Sequence, residues 1–119
     1  MAETGTASVS YIEKGVVSAQ WDFTASGTGN AIDTANFSER NVQITIGTSG
    51  TSTLIVEGSN SPTSGYVGLS GPTGAAMSYT AAANLDNITV GPRYIRPRAA
   101  TVTAGNTVEV VMVMRSGRR

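Results

Sequence analysis

Residues 41–57 read NVQITIGTSGTSTLIVE, and this stretch decides the fold class. In its first run, Val42, Ile44 and Ile46 alternate with Gln43 and Thr45. A period of two sends successive side chains to opposite faces of a strand, so one face is apolar and the other wet. Gly47-Thr-Ser-Gly50 is turn material, and Thr51 to Glu57 is a second run of strand-forming residues. Two such runs around a short Gly-containing loop predict a hairpin.

The same period recurs outward from this point. Toward the N-terminus, Val17, Ala19, Trp21 and Phe23 share one face, opposite Ser18, Gln20 and Asp22. Ala25 to Asn30 is a loop by composition, and Asp33 to Arg40 predicts a short helical turn capped by Asp33 or Thr34. Toward the C-terminus, a Gly/Ser-rich loop at 58–65 precedes a short strand around Tyr66 to Leu69, and Gly71 to Gly74 makes a turn. Ala75 to Leu85 is read as strand then loop, and Asn87 to Val90 as a short strand. Arg93 to Arg98 is a strand placed at a sheet edge or a strand end, because Pro97 cannot donate a ladder hydrogen bond. After a turn at Ala104 to Asn106 comes the last strand, Thr107 to Arg115. Its Val108, Val110, Met112 and Met114 face one way, and Val111 and Val113 face the other. Apolar residues on both faces predict a central strand, or one whose outer face a partner covers.

About eight short strands punctuated by Gly and Pro predict an all-β protein, a single jelly-roll-like β-sandwich. Residues 9–115 are assigned to the sandwich, 1–8 to an extended N-terminal arm and 116–119 to a basic C-terminal tail. One domain is what 119 residues allow. The N-terminus lacks the basic start and apolar stretch of a signal peptide, and no run is long and apolar enough to span a membrane.

Composition limits the chemistry. The chain has no cysteine, no histidine and a single lysine, Lys14. The commonest general base, the usual nucleophile activators and the usual transition-metal ligands are therefore missing. No Gly-x-Ser-x-Gly elbow, dense Asx run or phosphate-binding glycine loop occurs. The expectation is a protein that is not an enzyme, with no catalytic residues, no metal and no cofactor. Charged residues make up 13% of the chain, about half the share of an ordinary globular domain, and they are unevenly spread. Residues 1–92 carry two basic and seven acidic side chains; residues 93–119 carry six basic and one acidic. Two explanations fit: an anionic partner for the C-terminal part, or basic strands paired with acidic ones inside the fold. With aromatics at 6% of the chain, a stacking platform for nucleic acid is not expected.

The candidate partner-binding residues are Arg93, Tyr94, Arg96 and Arg98 of the arginine-rich strand, Val111 and Val113 on the second face of the last strand, and Trp21, the only tryptophan, which reads first as a core or half-core residue and otherwise as an interface anchor. Trp21 together with Tyr66 or Tyr79 could also form a sugar-binding platform, which would make the chain a carbohydrate-binding module.

Leu54-Ile-Val-Glu-Gly-Ser-Asn60, Tyr66-Val-Gly-Leu69, Asn87-Ile-Thr-Val-Gly-Pro-Arg-Tyr-Ile-Arg-Pro-Arg98 and Val108-Glu-Val-Val-Met-Val-Met-Arg115 together resemble the small β-sandwich cement or decoration proteins of tailed bacteriophages. The resemblance covers residues 42–115 and extends to sandwich modules of tail, connector and fibre proteins. It implies a virion protein on the outer capsid surface that binds the major capsid protein and bridges capsomers against the pressure of packaged DNA. It also implies self-association as a dimer or trimer, with no direct contact to nucleic acid or membrane.

Overall fold

A computed structural model describes residues 8–13, 15–47, 52–72, 74–80, 82–89, 91–103 and 105–116. The described residues form eleven strands and no helix: β1 (Ser8–Glu13), β2 (Val16–Phe23), β3 (Gly27–Thr28), β4 (Ile32–Asp33), β5 (Glu39–Ile46), β6 (Ser52–Ser59), β7 (Val67–Gly68), β8 (Ser78–Tyr79), β9 (Ala83–Asn87), β10 (Tyr94–Val102) and β11 (Val108–Arg115). They make two antiparallel sheets. Sheet A has the order β1-β2-β11-β5-β9. Sheet B has the order β3-β10-β6-β7, with β4 also on β10 and β8 also on β6. The all-β, jelly-roll-like sandwich is therefore the fold. Its strand count exceeds eight because four strands are two-residue pieces filling the edges of sheet B.

Period-two burial builds the core. In β2 the inward residues are Val17, Ala19, Trp21 and Phe23; in β5 they are Val42, Ile44 and Ile46; in β11 they are Val108, Val110, Met112 and Met114. Sheet B answers with Leu54, Val56, Ile95 and Ala99, and Leu69, Met77 and Ile88 close the sides. Burying a large apolar side chain stabilises the fold by about 1.5–3 kcal/mol before entropy is counted. β11 is central, paired with β2 on one side and β5 on the other.

Several local expectations are corrected. The runs at 41–46 and 52–57 do not form a hairpin: β5 belongs to sheet A and β6 to sheet B. The chain changes sheets after Gly47, whose N–H donates to the Thr107 carbonyl at 2.9 Å. A Cβ at Gly47 would run into the Asn106 side chain, so glycine permits this close approach. Asp33 to Arg40 contains a tight turn, not a helical one. Asp33 Oδ1 accepts the Ala35 N–H at 3.0 Å, and the Phe37 N–H reaches the Thr34 carbonyl at 3.1 Å. Residues 83–85, expected as loop, are strand and pair with β5 as part of β9, whereas of the strand expected at 87–90 only Asn87 is in a strand among the described residues.

The arginine-rich strand is not an edge either. β10 lies between β6 on one side and the short β3 and β4 on the other. Pro97 is tolerated because its partner strand is interrupted opposite it. Thr28 pairs with Arg98 and Ile32 with Ile95, and in the gap the Gly29 N–H donates to the Pro97 carbonyl at 2.8 Å. A residue's N–H and C=O point to the same side of a strand, so the missing donor of Pro97 faces that gap. Ser8, assigned to the N-terminal arm, begins β1. Residues 1–7 of the arm and 117–119 of the tail lie outside the described residues.

Candidate functional site

The outer face of sheet B gathers most of the candidate residues. Tyr94, Arg96 and Arg98 alternate outward along β10, while Ile95, Pro97 and Ala99 go to the core. On β6 the outward row is Ile55, Glu57 and Ser59, in register with Arg98, Arg96 and Tyr94. Glu57 is 6% exposed although charged. Burial of a carboxylate requires partners, and it has two. Arg96 Nε donates to Glu57 Oε1 at 3.0 Å, and Arg98 Nε to Glu57 Oε2 at 2.7 Å. One carboxylate thus clamps two guanidinium groups by their Nε atoms.

The Arg96 guanidinium also lies 3.8 Å from the centre of the Tyr66 ring, a cation–π contact. Tyr66 is itself tethered, its hydroxyl donating to the Pro62 carbonyl at 2.9 Å. Partial burial raises the Tyr66 phenol above its ordinary pKa, and the charge of Arg96 opposes that rise. At the start of β10, Arg93 donates from Nη2 to Asp33 Oδ2 at 3.0 Å and passes 5.2 Å from the Tyr94 ring. The hydrogen bond from Arg93, then that from the Ala35 N–H, holds the Asp33 carboxyl below the usual range. Arg93, Tyr94, Arg96 and Arg98 are therefore brought together, joined by Tyr66, Glu57 and Asp33. Of the two explanations for the uneven charge, internal pairing accounts for Arg93, Arg96 and Arg98.

Val111 and Val113 lie elsewhere, half-buried on the outer face of sheet A at the opposite side of the sandwich. Trp21 belongs to neither surface. It is 1% exposed, and its Nε1–H donates to the Asn30 carbonyl at 2.9 Å. The suggestion that Trp21 contacts a partner is corrected: it shares the inward parity of Val17, Ala19 and Phe23, and its one polar atom is satisfied inside. The Trp21 sugar platform goes with it. Tyr79 is taken up as well, its hydroxyl donating to Asp86 Oδ2 at 2.8 Å. Among the described residues, no three Asp or Glu side chains are grouped so as to hold a metal ion.

Sequence reasoning missed Arg40. It sits on β5 with the parity of Val42, Ile44 and Ile46, so it points toward the sandwich end and not to the wet face. Its Nη1 donates to Thr34 Oγ1 at 3.2 Å, while its Nε is buried without a partner among the described residues. Burial pushes the Arg40 pKa down. An open cleft of about 270 Å³ beside it is lined by Glu39, Arg40, Asn41, Asn87, Ile88 and Arg115. The signal was present in the sequence: an arginine in register with a core-facing row.

No family model matches the chain, and no curated protein matches it in sequence. Solved structures do match in fold. The SPBc2 prophage-derived protein YomS aligns with 17% identity and a TM-score of 0.61, over 87% of this chain and 99% of YomS. An RmlC-like cupin protein from Desulfovibrio desulfuricans aligns at 12% identity over 92% of this chain and 80% of its own, with a TM-score of 0.43. An oxalate oxidase in complex with glycolate aligns at 12% identity over 98% of this chain and 54% of its own, with a TM-score of 0.47. These likenesses concern the fold. The expectation that the chain is not an enzyme is corrected: missing histidine and cysteine exclude particular chemistries, not catalysis as such.

Proposed function

We propose that this chain is a structural protein of a tailed-phage particle, bound to the outside of the assembled capsid through the outer face of sheet B. The observation that carries the reading is the Tyr66–Arg96–Glu57 arrangement. Tyr and Arg dominate the residues that anchor protein interfaces. Here the arginine is fixed before any partner arrives, stacked at 3.8 Å on Tyr66 and bonded at 3.0 Å to Glu57. Fixing a long side chain in advance lowers the entropic cost of docking. The remaining guanidinium N–H groups of Arg96 and Arg98 suit carboxylates and carbonyl oxygens of the major capsid protein. The prophage origin of YomS and the sequence resemblance to cement proteins support the phage setting. A subunit that binds only the assembled shell stabilises it by mass action, and many copies on one lattice act together.

The test compares particles carrying the native protein, Tyr66→Ala or Arg96→Lys. Arg96→Lys keeps the charge and loses the planar stacking. Occupancy on purified particles should fall by about tenfold for each variant, a change equivalent to about 1.4 kcal/mol. Particles lacking the subunit should release their DNA at lower temperature. Retained thermal stability and DNA content in depleted particles would remove the capsid role. A copy number far below that of the major capsid protein would assign the chain to the tail or fibre instead.

A further inference from the structure

The cleft beside Arg40 opens at the end of sheet A where β5, β9 and β11 come together. Glu39 and Asn41 point out of one face of β5, and their register partners, Arg115 on β11 and Asn87 on β9, point the same way. Four polar side chains therefore edge the opening. Arg40 and Ile88 have the opposite parity and line it from the core side, joined by the Ile88 N–H donating to the Arg40 carbonyl at 2.9 Å. At about 270 Å³ the cleft is several times the ~30 Å³ share of one water molecule, so it admits an ion of several atoms.

Two guanidinium groups border this cleft, and neither has a carboxylate partner among the described residues. Arg40 has one side-chain hydrogen bond, to Thr34 Oγ1, and its Nε is buried with none. A cation taken partly out of water without a counter-charge is destabilising, and burial accordingly pulls the Arg40 pKa down. Arg115 is exposed. Glu39, its register partner, is the one acidic residue of the lining, and no ion pair joins the two. The nearby carboxylates are engaged elsewhere. Asp86 has the opposite parity to Asn87 and accepts from the Tyr79 hydroxyl at 2.8 Å and the Asn87 N–H at 3.0 Å, while Asp33 is bonded to Arg93. The lining thus carries two positive charges against one negative.

From this surplus and the cleft beside it, we infer that the end of sheet A binds a small oxyanion, a carboxylate or a phosphate group. Arg115 and the amides of Asn41 and Asn87 supply N–H donors to its oxygens, and Arg40 adds charge from the core side. The Arg40 Nε is closed to solvent, so the anion answers the charge and not the missing bond of that atom. Glu39 opposes the anion from the cleft wall. The inference is independent of the phage reading and uses no residue of the outer face of sheet B.

The experiment is isothermal titration calorimetry of the full chain at neutral pH, with sodium phosphate and separately with sodium acetate. Ionic strength is held constant with sodium chloride, so that screening does not change during the titration. Saturable one-site binding is expected for at least one of the two anions. Tighter binding of phosphate assigns the site to a phosphate group; acetate equal or tighter assigns it to a carboxylate. Arg115→Gln should weaken binding at least about tenfold by removing a charge-assisted donor. Arg40→Gln should weaken it about threefold or more, since its charge acts at longer range. Glu39→Gln should tighten it about threefold or more by removing the opposing charge. Urea unfolding of each variant confirms the fold, and the exposed Arg115 and Glu39 carry the test should Arg40→Gln not fold. No saturable binding of either anion, native affinity in Arg115→Gln, or unchanged or weaker binding in Glu39→Gln overturns the inference.

Discussion

Replacing Glu57 with alanine tests whether the arginines of β10 are structural before they are anything else. Glu57 accepts from Arg96 at 3.0 Å and from Arg98 at 2.7 Å, and its side chain is 8% exposed. The Arg96 side chain is 25% exposed and that of Arg98 38%. A hydrogen bond to a charged group contributes about 1.5–3 kcal/mol when shielded, so the Arg96 bond is assigned about 2 kcal/mol. The Arg98 bond is more open to solvent and is discounted to about 0.5 kcal/mol, as for exposed pairs. Glu57→Ala removes both and leaves two guanidinium groups side by side, for a loss of roughly 2.5 kcal/mol. For a chain of this length that lowers the melting temperature by about 10 °C.

The assay is urea unfolding followed by the fluorescence of Trp21, which is buried and therefore reports loss of the core. Arg98→Ala should cost about 0.5 kcal/mol, because Glu57 keeps its Arg96 partner. Arg96→Ala should fall between the two. The slope of stability against urea should stay constant across the set, since none of these changes alters the surface exposed on unfolding. A Glu57→Ala variant within about 0.5 kcal/mol of the native chain would refute the reasoning, because surface changes of no consequence fall in that range. So would Arg98→Ala costing more than Glu57→Ala.

Two further expectations concern the core and the high-pH limit. Gly29→Ala should destabilise by about 1–3 kcal/mol through overpacking, since its Cβ would come within 2.7 Å of Trp21 Cδ1 and 2.9 Å of the Pro97 ring; an unchanged unfolding midpoint would show that this corner is slack. Tyr79 has its phenol raised well above the ordinary value, first by burial and then by its bond to Asp86. The unfolded chain loses this proton near pH 10 while the folded chain keeps it, so stability falls as pH rises above about 10, by up to about 1.4 kcal/mol per pH unit for one such group. Tyr79→Phe should make that fall shallower in unfolding curves taken between pH 9 and about 11, and an identical slope in both proteins would contradict it.

The strands of the core were legible because the period of two is local. Val17 to Phe23, Val42 to Ile46 and Val108 to Met114 write their inward faces directly into the sequence. Which strand pairs with which is not local. The runs at 41–46 and 52–57 alternate well enough to be neighbours, yet Gly47 turns toward Thr107 and the two strands separate into different sheets. Pro97 argued for an edge; only the break between β3 and β4 makes a central proline harmless. The uneven charge was visible, but Asp33 lies 60 residues from Arg93, and Glu57 lies 39 and 41 residues from Arg96 and Arg98. No spacing rule reaches such pairs. Arg40 could have been found by extending the parity of Val42, Ile44 and Ile46 one step back.

Pairing changes what the charge asymmetry means. Six arginines lie in residues 93–119. Arg93, Arg96 and Arg98 are matched by Asp33 and Glu57 on the same sheet face, so that face carries little surplus charge and presents fixed guanidinium groups and aromatic rings. Such a surface recognises shape and hydrogen-bonding groups more than net charge. The unmatched charge of β11 is at its end, in Arg115, with Glu109 at the other end of the same outward row. The two faces of the sandwich thus differ in kind: on the outer face of sheet B opposite charges are paired across neighbouring strands and fix the guanidinium groups, whereas along β11 Glu109 and Arg115 stand at opposite ends of one outward row with two valines between them.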